Sequence, residues 1–308
     1  MVIMMKKRID KKKGIREGNL FATILIYFFA ACIAFITIYP VYYVLILSLS
    51  SPEYAVTMRV YWWPKGFYLD GYARVLKDTQ FWFSFRNTVL YVVSQLVLML
   101  ITCTLTAYPL TVKGLKGRKI LTTYLLIPMY FSGGIIPSYL LVLNLGLYNT
   151  PFALILTGSF SIWYIILVKS YFSTIPESLR EAAKMDGANH WKILLSIYLP
   201  ASKPILAVIA LYTIVGVWNG WFSAFLYLTK VEWQPLQLYL RRILVENSVK
   251  LADTLLTEAE RLAAQKELLV NSQLKYTVIF VSMIPMMILY PFFQKFFVKG
   301  VMLGSLKE

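Results

Sequence analysis

The sequence is poor in the side chains that carry most enzyme chemistry. It holds one histidine, His190, and two cysteines, Cys32 and Cys103, in 308 residues. Both cysteines fall inside apolar runs, where a thiol packs as a small hydrophobic group, so neither a disulfide nor a metal role is expected. A single histidine cannot form a metal site, and we expect it to be a solvated loop residue. We therefore predict no catalytic, metal or cofactor-binding residue in this chain.

Charged residues are also scarce, and they are unevenly placed. They make up 15% of the chain against 58% hydrophobic residues, whereas soluble domains carry about 25% charge. Asp, Glu, Lys, Arg and His are missing from five long runs, which are 18–52, 87–112, 120–168, 204–229 and 276–294. A membrane-spanning helix needs about 20 predominantly apolar residues. The sequence therefore predicts an all-α membrane protein.

The longest uncharged run is too long for one span. Its segment "LGLYNTP" at 145–151 contains Gly, Asn and Pro, which are typical of turns. We therefore predict six transmembrane helices, at about 19–49, 88–111, 120–143, 152–172, 204–228 and 276–298. The chain then consists of a basic segment at 1–18 and a six-span domain at 19–308, which has outer loops at 51–86 and 230–275 and an inner loop at 173–203.

Lysine and arginine set the predicted orientation. Seven of them lie within the first 16 residues, and four lie in the short loop 113–119. Short basic loops stay on the cytoplasmic side, so both termini and the loop 173–203 are expected there. The excess of positive charge is thus explained by topology, and no soluble basic module is present that could bind nucleic acid.

The predicted spans lack ionisable residues at mid-depth. Ion-coupled transporters and voltage sensors need such residues, and so does an enzyme that works within the membrane. The phosphate-binding pattern G-x-x-x-x-G-K-[ST] is absent from the sequence as well. If ATP drives this protein, another polypeptide must therefore bind and hydrolyse it.

The inner loop, "STIPESLREAAKMDGANHWKILLSIYLPASKP", predicts two short helices joined by a bend. Ser173 or Thr174 can cap the first helix, Gly187 can end it in a left-handed conformation, and Asn189 can cap the second. The expected charged face of the first helix consists of Glu177, Arg180, Glu181 and Lys184, and the expected apolar stripe of the second consists of Trp191, Leu194, Leu195 and Tyr198. Periodicity alone favours a docking surface and a merely solvated hairpin equally.

The same loop resembles a known motif. "EAA", three residues, Gly187, nine residues, Ile197, one residue and then Leu199 and Pro200 are similar to the EAA loop of bacterial ABC importer permeases. The resemblance implies a coupling helix that sits in a cleft of an ATP-binding subunit, which would hold the ATP and Mg. Glu181 would make the ionic contact, and the alanines would allow close approach. The residues implied in coupling are Glu181, Ala182, Ala183, Asp186, Gly187 and Ala188.

Other segments resemble a narrower group. "PKGFYLDGYARVL", "NTVLY" and "WNGWFSAFLYL" are similar to maltose-type carbohydrate permeases, and "SGGIIPSYLLVLNLGLYNT" and "YPFFQKFFVKGVMLGSLKE" to the branch that imports oligosaccharides from complex polysaccharides. The resemblance implies a bacterial plasma-membrane importer that works by alternating access. Its partners would be a homologous permease subunit, two ATP-binding subunits and an extracytoplasmic solute-binding protein. The alternatives are an ABC permease for a peptide or an amino acid, and a non-transport membrane scaffold or enzyme.

Sugars are held by aromatic rings and by amide or hydroxyl groups in a mostly preformed cavity. The candidate pathway residues are Tyr130, Ser132, Tyr139, Ser161, Trp163, Trp218, Asn219 and Trp221. Each is also compatible with helix packing or with an interfacial anchor. Residues 248–269 of the second outer loop have helical periodicity, along Leu251, Leu255, Ala259 and Leu262. They predict an external helix, either near the dock for the binding protein or packed on the protein's own surface.

Overall fold

The computed structural model describes residues 20–249 and 258–304, whose regular structure is helical throughout. The helices are α1 (Leu20–Ser48), α2 (Pro52–Thr57), α3 (Asp70–Lys77), α4 (Thr79–Ala107), α5 (Arg118–Tyr130), α6 (Ile135–Asn144), α7 (Pro151–Thr157), α8 (Ile162–Phe172), α9 (Glu177–Met185), α10 (His190–Ile193), α11 (Leu199–Ala201), α12 (Lys203–Asn219), α13 (Phe222–Tyr227), α14 (Leu236–Val249) and α15 (Glu258–Gly304). Single 3-10 turns lie at Pro109–Thr111 and Val231–Trp233, and a π-helical stretch, Leu194–Tyr198, joins α10 to α11. The all-α prediction is confirmed.

Three single helices within the described part of the chain are long and apolar enough to cross a membrane. They are the apolar stretches of α1, α4 and α15. Three further candidates are bent pairs: α5 with α6 at 111°, α7 with α8 at 40°, and the segment His190–Ala201 with α12 at 78°. The described helices therefore give six spans only if each bent pair counts as one. The stretches predicted at 120–143 and 152–172 are broken helices rather than straight spans.

Glycines lie at two of these breaks. Residues 131–134 separate α5 from α6, and Gly134 there has φ +87°, in the left-handed region that an L side chain rarely adopts. Gly158 follows the last residue of α7, and the Ser161 hydroxyl then accepts a hydrogen bond from the backbone N–H of Tyr164 to start α8. The helix is therefore interrupted inside the two stretches, 120–143 and 152–172, for which apolar composition alone predicted continuous helices.

α4 lies at the centre of the bundle and packs against α7, α8, α12 and α14. Its buried face is partly polar, and several of these side chains bond the backbone of the segment 231–236. Gln80 Nε2 donates to the Val231 carbonyl (3.0 Å), Asn87 Nδ2 to the Glu232 carbonyl (2.6 Å) and the Tyr91 hydroxyl to the Trp233 carbonyl (2.7 Å), while Thr88 Oγ1 accepts from the Leu236 N–H (2.8 Å). These bonds satisfy backbone groups that a segment with little regular structure leaves unpaired.

α15 begins earlier than the predicted last span. It runs without a break from Glu258, so the described second half of the predicted loop 230–275 belongs to the last helix. Of the expected external helix, Ala259 and Leu262 lie in α15, whereas Leu251 and Leu255 fall outside the described residues. Further along, the buried Gln273 donates from Nε2 to the Ser48 carbonyl at 2.6 Å, which fastens α15 to the end of α1.

Candidate functional site

The inner loop forms a helical hairpin, and its bend follows the sequence closely. α9 ends at Met185, Gly187 takes φ +76°, and α10 begins at His190. The Asn189 side chain accepts a hydrogen bond from the Lys192 N–H at 2.9 Å. The left-handed glycine and the asparagine cap are therefore confirmed.

The cap predicted at the start of the hairpin is wrong. The hydroxyl of Ser173 donates to the Lys169 carbonyl (2.9 Å) and that of Thr174 to the Tyr171 carbonyl (2.7 Å), so both serve the end of α8. The last carbonyls of a helix lack intrahelical donors, and these two hydroxyls supply them. α9 starts directly after Pro176 without a side-chain cap.

The predicted charged face of α9 is only partly exposed. Glu181 and Lys184 are exposed, but Arg180 is 7% exposed and forms an ion pair with Glu177. Glu177 also pairs with Lys113 of the loop between α4 and α5. The hydrogen bond from Lys113 and the nearby positive charges hold the pKa of the Glu177 carboxyl below its usual value. These ions therefore fix the base of the hairpin to the bundle, which periodicity could not predict.

The predicted apolar stripe of the second helix is also split. Leu194 and Tyr198 are buried, but Trp191 and Leu195 are exposed. The Tyr198 ring contacts the rings of Tyr108 (5.0 Å between centroids) and Phe172 (5.2 Å) in the core. From Leu194 to Tyr198 the chain is π-helical, so side chains there do not follow the α-helical spacing that the predicted stripe assumed.

The single histidine is not simply a solvated loop residue. His190 is exposed at the start of α10, but its Nδ1 lies 3.1 Å from the Tyr108 hydroxyl. This contact joins the second arm of the hairpin to the end of α4. No group of His, Cys, Asp and Glu that could hold a metal ion occurs in the described part of the chain.

The six residues implied in coupling lie together at the tip of this hairpin. Glu181, Ala182, Asp186 and Gly187 are exposed, whereas Ala183 and Ala188 are half-buried and linked by a backbone hydrogen bond of 2.9 Å. Met185 between them is 88% exposed. The tip therefore presents two carboxylates, small residues and one exposed thioether on a base that is packed into the core.

The eight predicted pathway residues are dispersed. Tyr130, Ser132 and Trp163 are exposed, and Ser161 is half-buried at the start of α8. Tyr139 stacks on Tyr227 with ring planes 9° apart. The rest lie on or beside α12: Trp218 is buried and donates to the Ser282 carbonyl (3.1 Å), Asn219 donates to the Val215 carbonyl (2.9 Å), and Trp221 lies 4.2 Å below the Arg241 guanidinium. Their role in transport stays a prediction.

A cavity of about 610 Å³ lies between α4, α6, α7, α8, α12 and α13, and none of these eight residues lines it. Its wall includes Gly158 and Gly220, which stand at two of the helix breaks. The polar and aromatic side chains of the wall are Tyr91, Gln95, Ser138, Thr157, Tyr164, Tyr212, Thr213, Ser223 and Tyr227. Sequence reasoning missed them, although Gln95 is the one glutamine in the uncharged run 87–112 and marks the polar side of α4.

Comparison with known proteins shows the family. Residues 93–303 match the family of binding-protein-dependent transport system inner membrane components. The chain belongs to this permease family. The resemblance to ABC importer permeases is thereby confirmed, and the protein is a membrane component of a transport system.

Other permeases are similar over nearly the whole chain. The protein LplC of Bacillus subtilis is 36% identical over 88% of this chain and 90% of its own length. The B. subtilis protein YtcP, a polygalacturonan/rhamnogalacturonan transport system permease, is 35% identical over 92% of this chain and 97% of its own length. A chain in the crystal structure of a bacterial ABC transporter for import of the acidic polysaccharide alginate superimposes with a TM-score of 0.79, at 34% identity, over 90% of this chain and 96% of its own.

Proposed function

We propose that this chain is the permease subunit of an ATP-driven, binding-protein-dependent importer of oligosaccharides. It pairs with a homologous permease subunit, two ATP-binding subunits and an extracytoplasmic solute-binding protein. ATP and Mg belong to the ATP-binding subunits, and this chain provides passage and coupling by alternating access. The spans are α1, α4, α5 with α6, α7 with α8, α12 and α15, and these six place both termini and the hairpin on the cytoplasmic side of a bacterial plasma membrane.

The observation that carries this proposal is the hairpin of α9 and α10. Its tip offers small residues around Gly187, whose short side chains allow another protein to approach the backbone closely. Its base is fixed by Leu194 and Tyr198 in the core and by the ion pairs of Glu177. A rigid base under an exposed tip can transmit a displacement of the tip to α4 and α8. That is what coupling to nucleotide-driven closure requires.

The relatives support the substrate class. YtcP is named for transport of polygalacturonan and rhamnogalacturonan, and the superimposed transporter imports alginate. Both names describe sugar polymers, which supports an oligosaccharide over a peptide or an amino acid. Neighbouring genes for glycoside hydrolases would add support, whereas peptidase genes would favour the alternative.

The coupling role can be tested by reversing the charge of Glu181. In the complex reconstituted in proteoliposomes, Glu181→Lys is expected to abolish the ATP hydrolysis that the loaded binding protein stimulates, because a lysine at the tip opposes the ionic contact with the ATPase. The amount of membrane-inserted chain should not change. Glu53→Lys is the matched control, since Glu53 is an exposed carboxylate on α2. Stimulation at the wild-type level in Glu181→Lys would contradict the proposal.

A further inference from the structure

We propose that the central cavity of this chain is itself a binding subsite for one uncharged sugar ring of the transported oligosaccharide. The proposal rests on the proposed function and adds to it a place and a ligand chemistry. It assigns sugar contact to this subunit, and to a set of residues that differs from the eight candidates found by sequence.

Two buried polar side chains of the wall point to a hydrogen-bonding ligand. Thr213 of α12 is 5% exposed, and its hydroxyl oxygen has no hydrogen-bond partner within residues 20–249 and 258–304. Gln95 of α4 is 7% exposed and brings an amide to the same cavity. A buried polar group without a partner costs free energy. A threonine in a helix has two accessible χ1 rotamers, so rotation of Thr213 can exchange the places of its methyl and hydroxyl groups and offer the hydroxyl to a ligand.

Aromatic rings supply the apolar half of a sugar site. The rings of Tyr164 and Tyr212 are nearly parallel, at 7° and 6.5 Å between centroids, and both residues line the cavity. Tyr227 of α13 also lines it. The Tyr91 hydroxyl is bonded to the Trp233 carbonyl, so Tyr91 presents mainly its ring. A carbohydrate site uses aromatic rings to contact the C–H faces of a sugar, and amide or hydroxyl groups to form hydrogen bonds with the hydroxyl groups at its edge.

The charge of the wall defines the ligand further. All described residues that line the cavity are uncharged. A carboxylate placed there would lose part of its hydration without gaining a cationic partner among the described lining residues, which is unfavourable. A lipid tail would leave Gln95 and Thr213 unpaired. An uncharged sugar ring avoids both penalties: it carries no net charge to desolvate, and its hydroxyl groups can form hydrogen bonds with Gln95 and Thr213.

The backbone fits the same interpretation. Gly158 and Gly220 line the cavity at the breaks after α7 and α12. Irregular backbone at membrane depth is tolerated where it lines a cavity rather than lipid, and transporters form their substrate sites at such interrupted helices. The two helix breaks therefore lie at the cavity, where their backbone groups could contact a hydrophilic solute.

The experiment measures sugar binding to the assembled importer in nanodiscs, with the binding protein omitted, so that only the transmembrane site is sampled. The probes are neutral tetrasaccharides (stachyose, maltotetraose and xylotetraose) and acidic ones (tetragalacturonate and alginate tetrasaccharide). For the neutral probe that binds wild type best, Thr213→Val should raise Kd about 5- to 10-fold, the value of one hydrogen bond. Thr213→Ser, which keeps the hydroxyl, should stay near wild type.

The matched control is Thr104→Val. Thr104 is a buried threonine of α4 whose hydroxyl bonds the Leu100 carbonyl of its own helix at 2.7 Å, away from the cavity. Equal Kd values for Thr213→Val, Thr104→Val and wild type would overturn the inference. Two other results would also overturn it: binding of the acidic probes alone, and failure of the importer without its binding protein to bind any probe that wild type transports. Uptake of the probes by wild type with its binding protein is measured separately. Failure of all uptake would refute the proposed function, whereas uptake with unaltered binding in Thr213→Val would refute only the subsite.

Discussion

Two glycines of the cavity wall should respond oppositely to the same substitution. Gly158 follows α7 with φ −89°, outside the left-handed region that favours glycine, so the effect of Gly158→Ala is mainly steric. A Cβ there would lie 2.1 Å from Gln95 Oε1, 2.7 Å from Gln95 Cδ and 3.1 Å from the Leu154 carbonyl oxygen. Gly216 lies inside α12 and lines the same cavity, and among the described residues no atom lies within 4 Å of the place where its Cβ would stand.

The magnitudes follow from these surroundings. Overpacking costs typically 1–3 kcal/mol, and Gly158→Ala should reduce the free energy of unfolding by about 1 kcal/mol, at the low end of that range, because the crowded atoms are the end of the flexible Gln95 side chain, which can move. Gly216→Ala should raise it by about 0.5–1 kcal/mol, since alanine loses less backbone entropy in a helix than glycine does. Gln95→Ala removes the obstructing amide. The double variant should therefore be about as stable as Gln95→Ala alone.

The assay is thermal unfolding of the purified chain in detergent, for the three single variants and the Gly158→Ala, Gln95→Ala double variant. The expected coupling between positions 95 and 158 is about 1 kcal/mol, above the roughly 0.3–0.5 kcal/mol within which independent sites add. Strict additivity would refute the reasoning, because it would mean that the two side chains do not compete for the same space. A loss of stability in Gly216→Ala would refute the open wall at α12.

Two further predictions concern the hairpin. Gly187→Ala forces a Cβ into the left-handed region, which costs about 1–2 kcal/mol although no described atom crowds the site. In a pull-down titration, the affinity of the ATP-binding subunit should fall about 5- to 30-fold for Gly187→Ala and by less for Gly187→Asn. Equal affinities for the two variants would contradict this prediction. The hydrogen bond that Lys113 donates to Glu177, together with nearby positive charges, lowers the pKa of the Glu177 carboxyl. Its ion pairs therefore stabilise the hairpin fully at pH values above the ordinary carboxyl pKa of about 4.3, and this stabilisation is lost as pH falls through the lowered pKa. Hydrogen exchange of α9 should therefore speed up in acid beyond the intrinsic rate in wild type but much less in Glu177→Gln, and identical acid responses would exclude this pair as the cause.

Features of the fold that depend on local sequence were predictable. The uncharged runs predicted membrane helices because composition over 20 residues suffices for that inference. The bend at Gly187 and the cap at Asn189 were predictable because each depends on one residue's own backbone or side-chain preference. The cap at Ser173 or Thr174 failed for a local reason too, since two helix ends competed for the same hydroxyls and the end of α8 took them.

Features that depend on residues far apart in sequence were not predictable. Arg180 has the spacing of an exposed residue but is buried, and its ion-pair partner Glu177 also contacts Lys113 of the distant loop between α4 and α5. Likewise, the cavity is formed by residues of α4, α6, α7, α8, α12 and α13, and periodicity cannot reveal that these helices lie close together.

The sequence by itself thus determined that the chain is a helical membrane protein with an exposed hairpin of the permease type, because apolar length and a contiguous motif are properties of the chain in one dimension. Only the tertiary structure decided which helices break, which charge is buried and which polar side chains share a cavity. Each of those outcomes depends on contacts between segments that are distant in sequence, such as the contact between Gln95 of α4 and Gly158 after α7. Such contacts are set by packing.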